Sequence, residues 1–269
     1  MLYNAKDCKV QIGNTYMNYA KFGNGEKNLV MIPGLGDGLR TDKKMAHMMA
    51  LMYGKFAKDY TVYVFSQKVQ MPDRYSTRKM AGDVKNAMDL LGIEKADVIG
   101  VSLGGMISQH LAADYPEKVE KLVLVVTSAR KNQYIQSSIS AWIEMAKRED
   151  YRQLMLDNMK KLYTKEYIEK NRALMSLATK IGKPKSYERF IIMGKACIYH
   201  DAYEKLEKIQ AKTFVIGGEL DRTVGAKASY EIAEKIPDCI IKMYPQYGHA
   251  LYEEAKDFNQ TVLDFLQSE

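Results

Sequence analysis

Residues 96–115 read ADVIGVSLGGMISQHLAADY, followed by Pro116. The opening ADVIGV is a short, apolar, β-branched run of the kind that forms strands buried on both faces of a parallel sheet. From Leu103 the pattern becomes that of a largely buried helix, which stops before Pro116 because proline disfavours helical backbone in the residue ahead of it. Gly100-Val101-Ser102-Leu103-Gly104 therefore sits where a strand runs directly into a helix. A turn that sharp holds the serine in a strained backbone conformation with its hydroxyl exposed, and it needs Gly100 and Gly104 because side chains there would collide with the adjoining strand and helix. The competing reading is a structural glycine-rich turn. What lies further along the chain decides between them.

Outward from this turn the same alternation repeats. Residues 28–32 (NLVMI), 60–65 (YTVYVF), 119–126 and 212–216 are further short apolar runs. Residues 77–91 place Met80, Val84, Ala87, Met88 and Leu91 on one helical face. Strand and helix in alternation specify a doubly wound, mostly parallel α/β sheet, with chemistry expected beyond the carboxyl ends of the strands. At the N-terminus, residues 8–12 and 15–22 alternate polar and apolar around a Gly-Asn turn and read as an antiparallel hairpin. After Thr127 the alternation lapses until about residue 212. The stretch 128–210 is rich in helix formers and long apolar side chains, among them Trp142, Ile143, Met145, Leu154, Met155, Met159, Leu162, Leu174, Met175, Leu177 and residues 190–193. A structureless loop of that length is improbable, so it reads as a helical insertion, either a lid over the sheet's active edge or additional core. The division expected is a main body of residues 1–127 and 211–269 with a cap of residues 128–210 inserted after the sixth strand.

Bulk composition narrows the class. The 269 residues are 46% hydrophobic and 27% charged, as in a globular protein able to bury one large core. No apolar run approaches the length of a membrane span, and the polar N-terminal stretch does not resemble a signal peptide. The three cysteines, Cys8, Cys197 and Cys239, are widely spaced and odd in number, which argues against a disulfide framework or a paired-cysteine metal site and for a reducing cytoplasm. The formal charge of +7 and pI near 9.0 invite a nucleic-acid reading, but the lysines are interspersed with acids, as in KREDYRQ. A solvated Lys-rich surface explains them better, with at most some attraction for anionic substrates. The expected partner is a small-molecule substrate, with no nucleic acid and no membrane, acting on a monomer or homodimer.

A serine hydroxyl is a poor nucleophile unless a base takes its proton and a further group orients that base. GGELDRTV places Asp221 just past the strand TFVIGG, and YGHALYEEA places His249 just past the strand CIIKMYP. In these positions His249 would accept the Ser102 proton and return it to the leaving group, while Asp221 fixes the tautomer and stabilises the imidazolium. Of the four histidines, His47 lies in the Met-rich helix MAHMMALM and His110 in the helix after Ser102, so both read as packing or surface residues. His200 falls late in the insertion and could face the pocket, but its setting is poorer than that of His249. Asp201 and Asp238 are better explained as a helix N-cap and a turn residue than as the acid.

Attack on a carbonyl also requires two N–H donors for the oxyanion. Leu103, at the N-terminus of the helix after Ser102, supplies one. The loop PGLGDG at 33–38 supplies the other, with Leu35 the candidate and Gly34 allowing close backbone approach. The loop lacks the Lys-Ser/Thr ending of a P-loop and the glycine spacing of a dinucleotide fold. Neither a metal nor a cofactor is called for.

The ordered set PGLGDG, GVSLGG, GGELDRTV and YGHALYEE resembles the α/β-hydrolase superfamily, in particular its lidded esterase, peptidase and carbon-carbon hydrolase branch, over nearly the whole chain outside the insertion. The resemblance implies Ser102, Asp221 and His249 as triad and Leu35 and Leu103 as oxyanion hole. Two features depart from it. Pro33-Gly34 stands where His-Gly is frequent, and Asp37 brings a carboxylate that would hinder catalysis unless it points away. A serine nucleophile argues against dehalogenase and epoxide-hydrolase chemistry. The first expectation is therefore a carboxylic ester or thioester hydrolase working through an acyl-enzyme. Alternatives are an aminopeptidase resembling proline iminopeptidases, whose substrate ammonium would need acids such as Glu144, Glu149, Asp150, Glu166 and Glu169; a carbon-carbon bond hydrolase; and, from another class, a non-catalytic ligand receptor on the same fold.

Overall fold

A computed structural model describes residues 2–39 and 45–268. The apolar runs form strands β1 (Lys6–Ile12), β2 (Thr15–Phe22), β3 (Lys27–Ile32), β4 (Tyr60–Phe65), β5 (Ala96–Val101), β6 (Val119–Val125), β7 (Lys212–Gly218) and β8 (Cys239–Tyr244). They make one sheet in the order β1-β2-β4-β3-β5-β6-β7-β8. β1 and β2 form the expected antiparallel hairpin, turned at Gly13 in the left-handed region (φ 59°). β2 meets β4 antiparallel, and every pairing from β4 to β8 is parallel. All residues of β5 are buried, including Asp97, whose carboxylate accepts the Tyr60 hydroxyl at 2.9 Å and the Lys121 N–H at 3.1 Å.

The α-helices among the described residues are α1 (Ala46–Met52), α2 (Thr77–Leu90), α3 (Leu103–Asp114), α4 (Gln133–Lys147), α5 (Tyr151–Leu162), α6 (Lys165–Lys170), α7 (Arg172–Ala178), α8 (Glu188–Ile198), α9 (Lys227–Lys235), α10 (Leu251–Glu254) and α11 (Phe258–Gln267). α2 starts where the Ser76 hydroxyl accepts the Lys79 N–H, and it buries Met80, Val84, Ala87 and Met88, four of the residues its periodicity put on one face. One apolar cluster gathers α2, α3 and one face of the sheet. A second gathers α1, α11 and residues of the other face.

The stretch between β6 and β7 is helical, as expected, but its apolar residues divide. Trp142, Ile143, Leu154, Met159, Phe190 and Met193 are buried, most of them within the cluster that contains α2 and α3. The Trp142 indole donates to Asp157 at 2.7 Å and fastens α4 to α5. α6 and α7 bury no residue. Leu174 and Leu177, expected from their apolarity to pack inward, are 62% and 49% exposed. No helix among the described residues is long and apolar enough to cross a membrane.

Candidate active site

The turn after β5 has the strain its sequence implies. Ser102 lies at φ 55°, ψ −116°, immediately before α3, a conformation costly for any residue with a Cβ. Its surroundings leave it no alternative. The Ser102 N–H donates to Val125 O at 2.9 Å, and its carbonyl accepts the Thr127 hydroxyl at 2.7 Å. A Cβ on Gly104 would lie 1.8 Å from the carbonyl oxygen of Ile32, and one on Gly100 would lie 2.4 Å from Ser108 Oγ and 2.6 Å from the Gly104 carbonyl. The two glycines thus let the strand and helix close around a serine that remains partly exposed.

Two loops from β7 and β8 bring the other side chains to it. The Leu220 N–H donates to Tyr247 O at 3.0 Å and the Glu219 N–H to Tyr244 O at 3.1 Å, so the acid loop and the histidine loop are joined backbone to backbone. Gly218 permits this approach, since a Cβ there would meet Tyr247 O at 2.5 Å. The Ala250 N–H reaches Leu162 O at the end of α5 at 2.9 Å, fixing the histidine loop to the helical segment. His249 Nε2 then stands 2.9 Å from Ser102 Oγ and His249 Nδ1 stands 2.7 Å from Asp221 Oδ2. The second carboxylate oxygen of Asp221 accepts the Thr223 and Val224 N–H groups at 2.7 and 3.0 Å. Burial alone would raise this carboxyl's pKa, but the neighbouring imidazole and the backbone donors outweigh it and hold it below its usual value. Asp221 is therefore an ionised, immobilised acceptor that selects the Nδ1–H tautomer. The free Nε2 lone pair then faces the serine hydroxyl.

The two residues expected as oxyanion donors each open a helical turn. Leu103 opens α3 and Leu35 opens a 3-10 turn over Leu35–Leu39. The first N–H groups of helical turns have no partner within them. Gly34 lies against the nucleophile, where a Cβ would come within 3.3 Å of Ser102 Cβ. Asp37 points away from that site. Its carboxylate accepts Ser66 Oγ at 2.5 Å, the Gln67 N–H at 2.9 Å and Arg189 Nη2 at 3.1 Å. These partners escaped the sequence reading.

The remaining candidates fall outside the constellation. His47 is exposed, while His110 and His200 are buried and meet edge to face, ring centroids 5.3 Å apart. Glu144, Glu149, Asp150, Glu166 and Glu169 are all exposed. Beside the triad loops opens a cavity of about 550 Å³, lined by Lys160, Lys161, Lys165, Arg222, Leu220 and Gly248 among others.

A strained serine joined through an imidazole to a buried carboxylate, at the carboxyl edge of a sheet in this strand order, agrees with the comparison with known proteins. The family model for the alpha/beta hydrolase fold matches residues 27–256. The chain belongs to the α/β-hydrolase family. Among its relatives, the 2-hydroxy-6-oxononadienedioate/2-hydroxy-6-oxononatrienedioate hydrolase of Comamonas testosteroni is 29% identical over 69% of this chain and 68% of its own. The 2-hydroxy-6-oxo-6-phenylhexa-2,4-dienoate hydrolase of the same organism is 24% identical over 98% and 95%. Of solved structures, the enol-lactonase of Burkholderia xenovorans superposes with a TM-score of 0.83 at 21% identity, covering 97% of this chain and all of that one. An α/β hydrolase from a deep-sea metagenome library reaches a TM-score of 0.87 at 20% identity, covering 97% and 98%.

Proposed function

We propose that this α/β hydrolase is a serine enzyme that cleaves a small carboxylic ester or thioester through an acyl-enzyme. The 2.9 Å contact between Ser102 Oγ and His249 Nε2 carries the reading, because it is within the range for proton transfer from nucleophile to base. Ser102 attacks the carbonyl as His249 takes its proton. The N–H groups of Leu103 and Leu35 receive the negative charge that develops on the carbonyl oxygen, and His249 returns the proton to the departing alkoxide or thiolate. Water activated by the same imidazole then releases the acid. Turnover of a short p-nitrophenyl ester, lost in Ser102→Ala, is the test. A folded wild-type protein with no turnover and no labelling by a fluorophosphonate would favour the receptor reading instead.

A second reading has a specific observation behind it, since both Comamonas relatives are named for substrates with a 2-hydroxy-6-oxo dienoate skeleton. Cleaving a carbon-carbon bond uses the same serine and histidine but needs a leaving carbanion stabilised by conjugation. Comparing kcat/KM for such a vinylogous diketone with that for p-nitrophenyl esters separates the two. The aminopeptidase reading has less support, because the acids it needs are solvent-exposed.

A further inference from the structure

The 3-10 turn that carries Leu35 is tied to the helical segment by buried charge that the triad does not use. Asp37 lies two residues after Leu35, and its N–H closes the turn on Gly34 O at 3.1 Å. Its carboxylate is only 3% exposed and is fixed to the end of β4 through the Ser66 hydroxyl and the Gln67 N–H. Arg189, in the first turn of α8, completes the cluster. Its Nη2 donates to Asp37 Oδ2 at 3.1 Å, to Gln67 O at 3.0 Å and to Ser66 Oγ at 3.3 Å, and its Nη1 donates to the Asp37 carbonyl at 3.2 Å. One guanidinium therefore grips both the side chain and the backbone of the turn. The next residue is packed as tightly, since a Cβ on Gly38 would come within 2.7 Å of Phe190 Cα.

We propose that Asp37 and Arg189 are positioning residues, which hold the Leu35 N–H at the oxyanion site only while α8 is seated on the turn. This rests on the serine-hydrolase reading above. A buried ion pair is a poor device for stability alone, because desolvation offsets much of the attraction and an apolar pair of the same shape serves as well. What the guanidinium adds is direction. Its planar fork fixes several acceptors at once, which a flexible ammonium or a hydrophobic contact does not. Lifting α8 removes the cation and leaves Asp37 buried without its countercharge, so the carboxylate and the turn move together and the donor at Leu35 leaves its place. An oxyanion hole has little tolerance for such displacement, because its donors act at hydrogen-bond distance from the developing charge. The pair acts in this way through the backbone of the turn, and substrate need touch neither Asp37 nor Arg189.

The experiment compares a trifluoromethyl ketone, which adds to serine and places an oxyanion in the hole, with its methyl ketone counterpart, which binds without adding. Variants are Arg189→Gln, Arg189→Lys, Asp37→Asn, Ser66→Ala and the double Asp37→Asn/Arg189→Gln, each first matched to wild type by near-UV circular dichroism. For Arg189→Gln and Asp37→Asn the expected result is a loss of about 10-fold or more in both kcat and trifluoromethyl-ketone affinity, with KM and methyl-ketone affinity changed by less than about twofold. The double variant should be no worse than the poorer single one, because both remove the same contact. Should Arg189→Gln fail to fold, Arg189→Lys and Ser66→Ala decide the matter with a partial loss, about threefold, confined to the trifluoromethyl ketone. Folded variants that lower only the melting temperature, or that lower both ketone affinities equally, overturn the proposal and leave the pair structural. A wild type with no Ser102-dependent ester turnover overturns the underlying reading, and the proposal with it.

Discussion

In the proposed reaction, Ser102 and His249 carry the chemistry at single positions. The left-handed backbone of Ser102 costs of order 1–3 kcal/mol, and it persists because β5, α3 and the Thr127 hydroxyl fix it from several sides. Ser102→Ala is expected to cut ester turnover by about 10⁴-fold or more while leaving the melting temperature within a few degrees of wild type. Asp221→Asn retains the hydrogen-bonding shape but tends to turn the imidazole to the wrong tautomer, so kcat should fall by about 10³–10⁴-fold in steady-state assays. These positions were legible because each stands at the carboxyl end of an apolar run, where the chain must leave the sheet. The Asp37 cluster was not, since its arginine is 152 positions away and no local pattern links the two. Nor was Val126, a β-branched residue at φ 43° that propensity would place there last.

At the scale of elements, the boundaries of β4 and β5 and the start of α2 and α3 were all visible in hydrophobic period, glycine and proline. Gly104→Ala tests the strand-to-helix junction. With its Cβ 1.8 Å from a backbone oxygen, the helix cannot approach β3, and the variant should lose soluble yield and near-UV signal rather than activity alone. The helical segment was legible as helix but not in its packing. Apolar residues in short helices can face the core or solvent, and periodicity over α7 is too brief to decide. Urea unfolding should separate the two kinds: Phe190→Ala, which empties a buried site in α8, costs about 3–5 kcal/mol, whereas Leu177→Ser changes stability by less than about 0.5 kcal/mol.

Over the whole molecule, stability should depend on pH through two imidazoles with no part in the proposed triad. Burial, with Lys205 nearby, lowers His110 to about 4, and burial beside His110 lowers His200 to about 3. Unfolded histidines take up protons near pH 6.5, so from there down to about 4 the unfolded chain binds more protons than the folded one. Stability is thus fully present above that range and is lost on acidification, by about 1.4 kcal/mol per pH unit for each imidazole kept neutral. The melting temperature should fall between pH 7 and 4.5, and less steeply in His200→Gln. A flat profile would show that the pair is hydrated. The mostly parallel sheet followed from alternation alone, whereas the joining of turn, strand end and α8 by the Arg189 guanidinium depends on contacts that exist only after folding.

The convergence of Ser102, His249 and Asp221 is tested most directly by mass spectrometry of the folded protein after treatment with a fluorophosphonate. One covalent adduct is expected, mapped to Ser102 and formed much more slowly in His249→Ala. A folded protein that gains no adduct, or carries it on another residue, would contradict the triad.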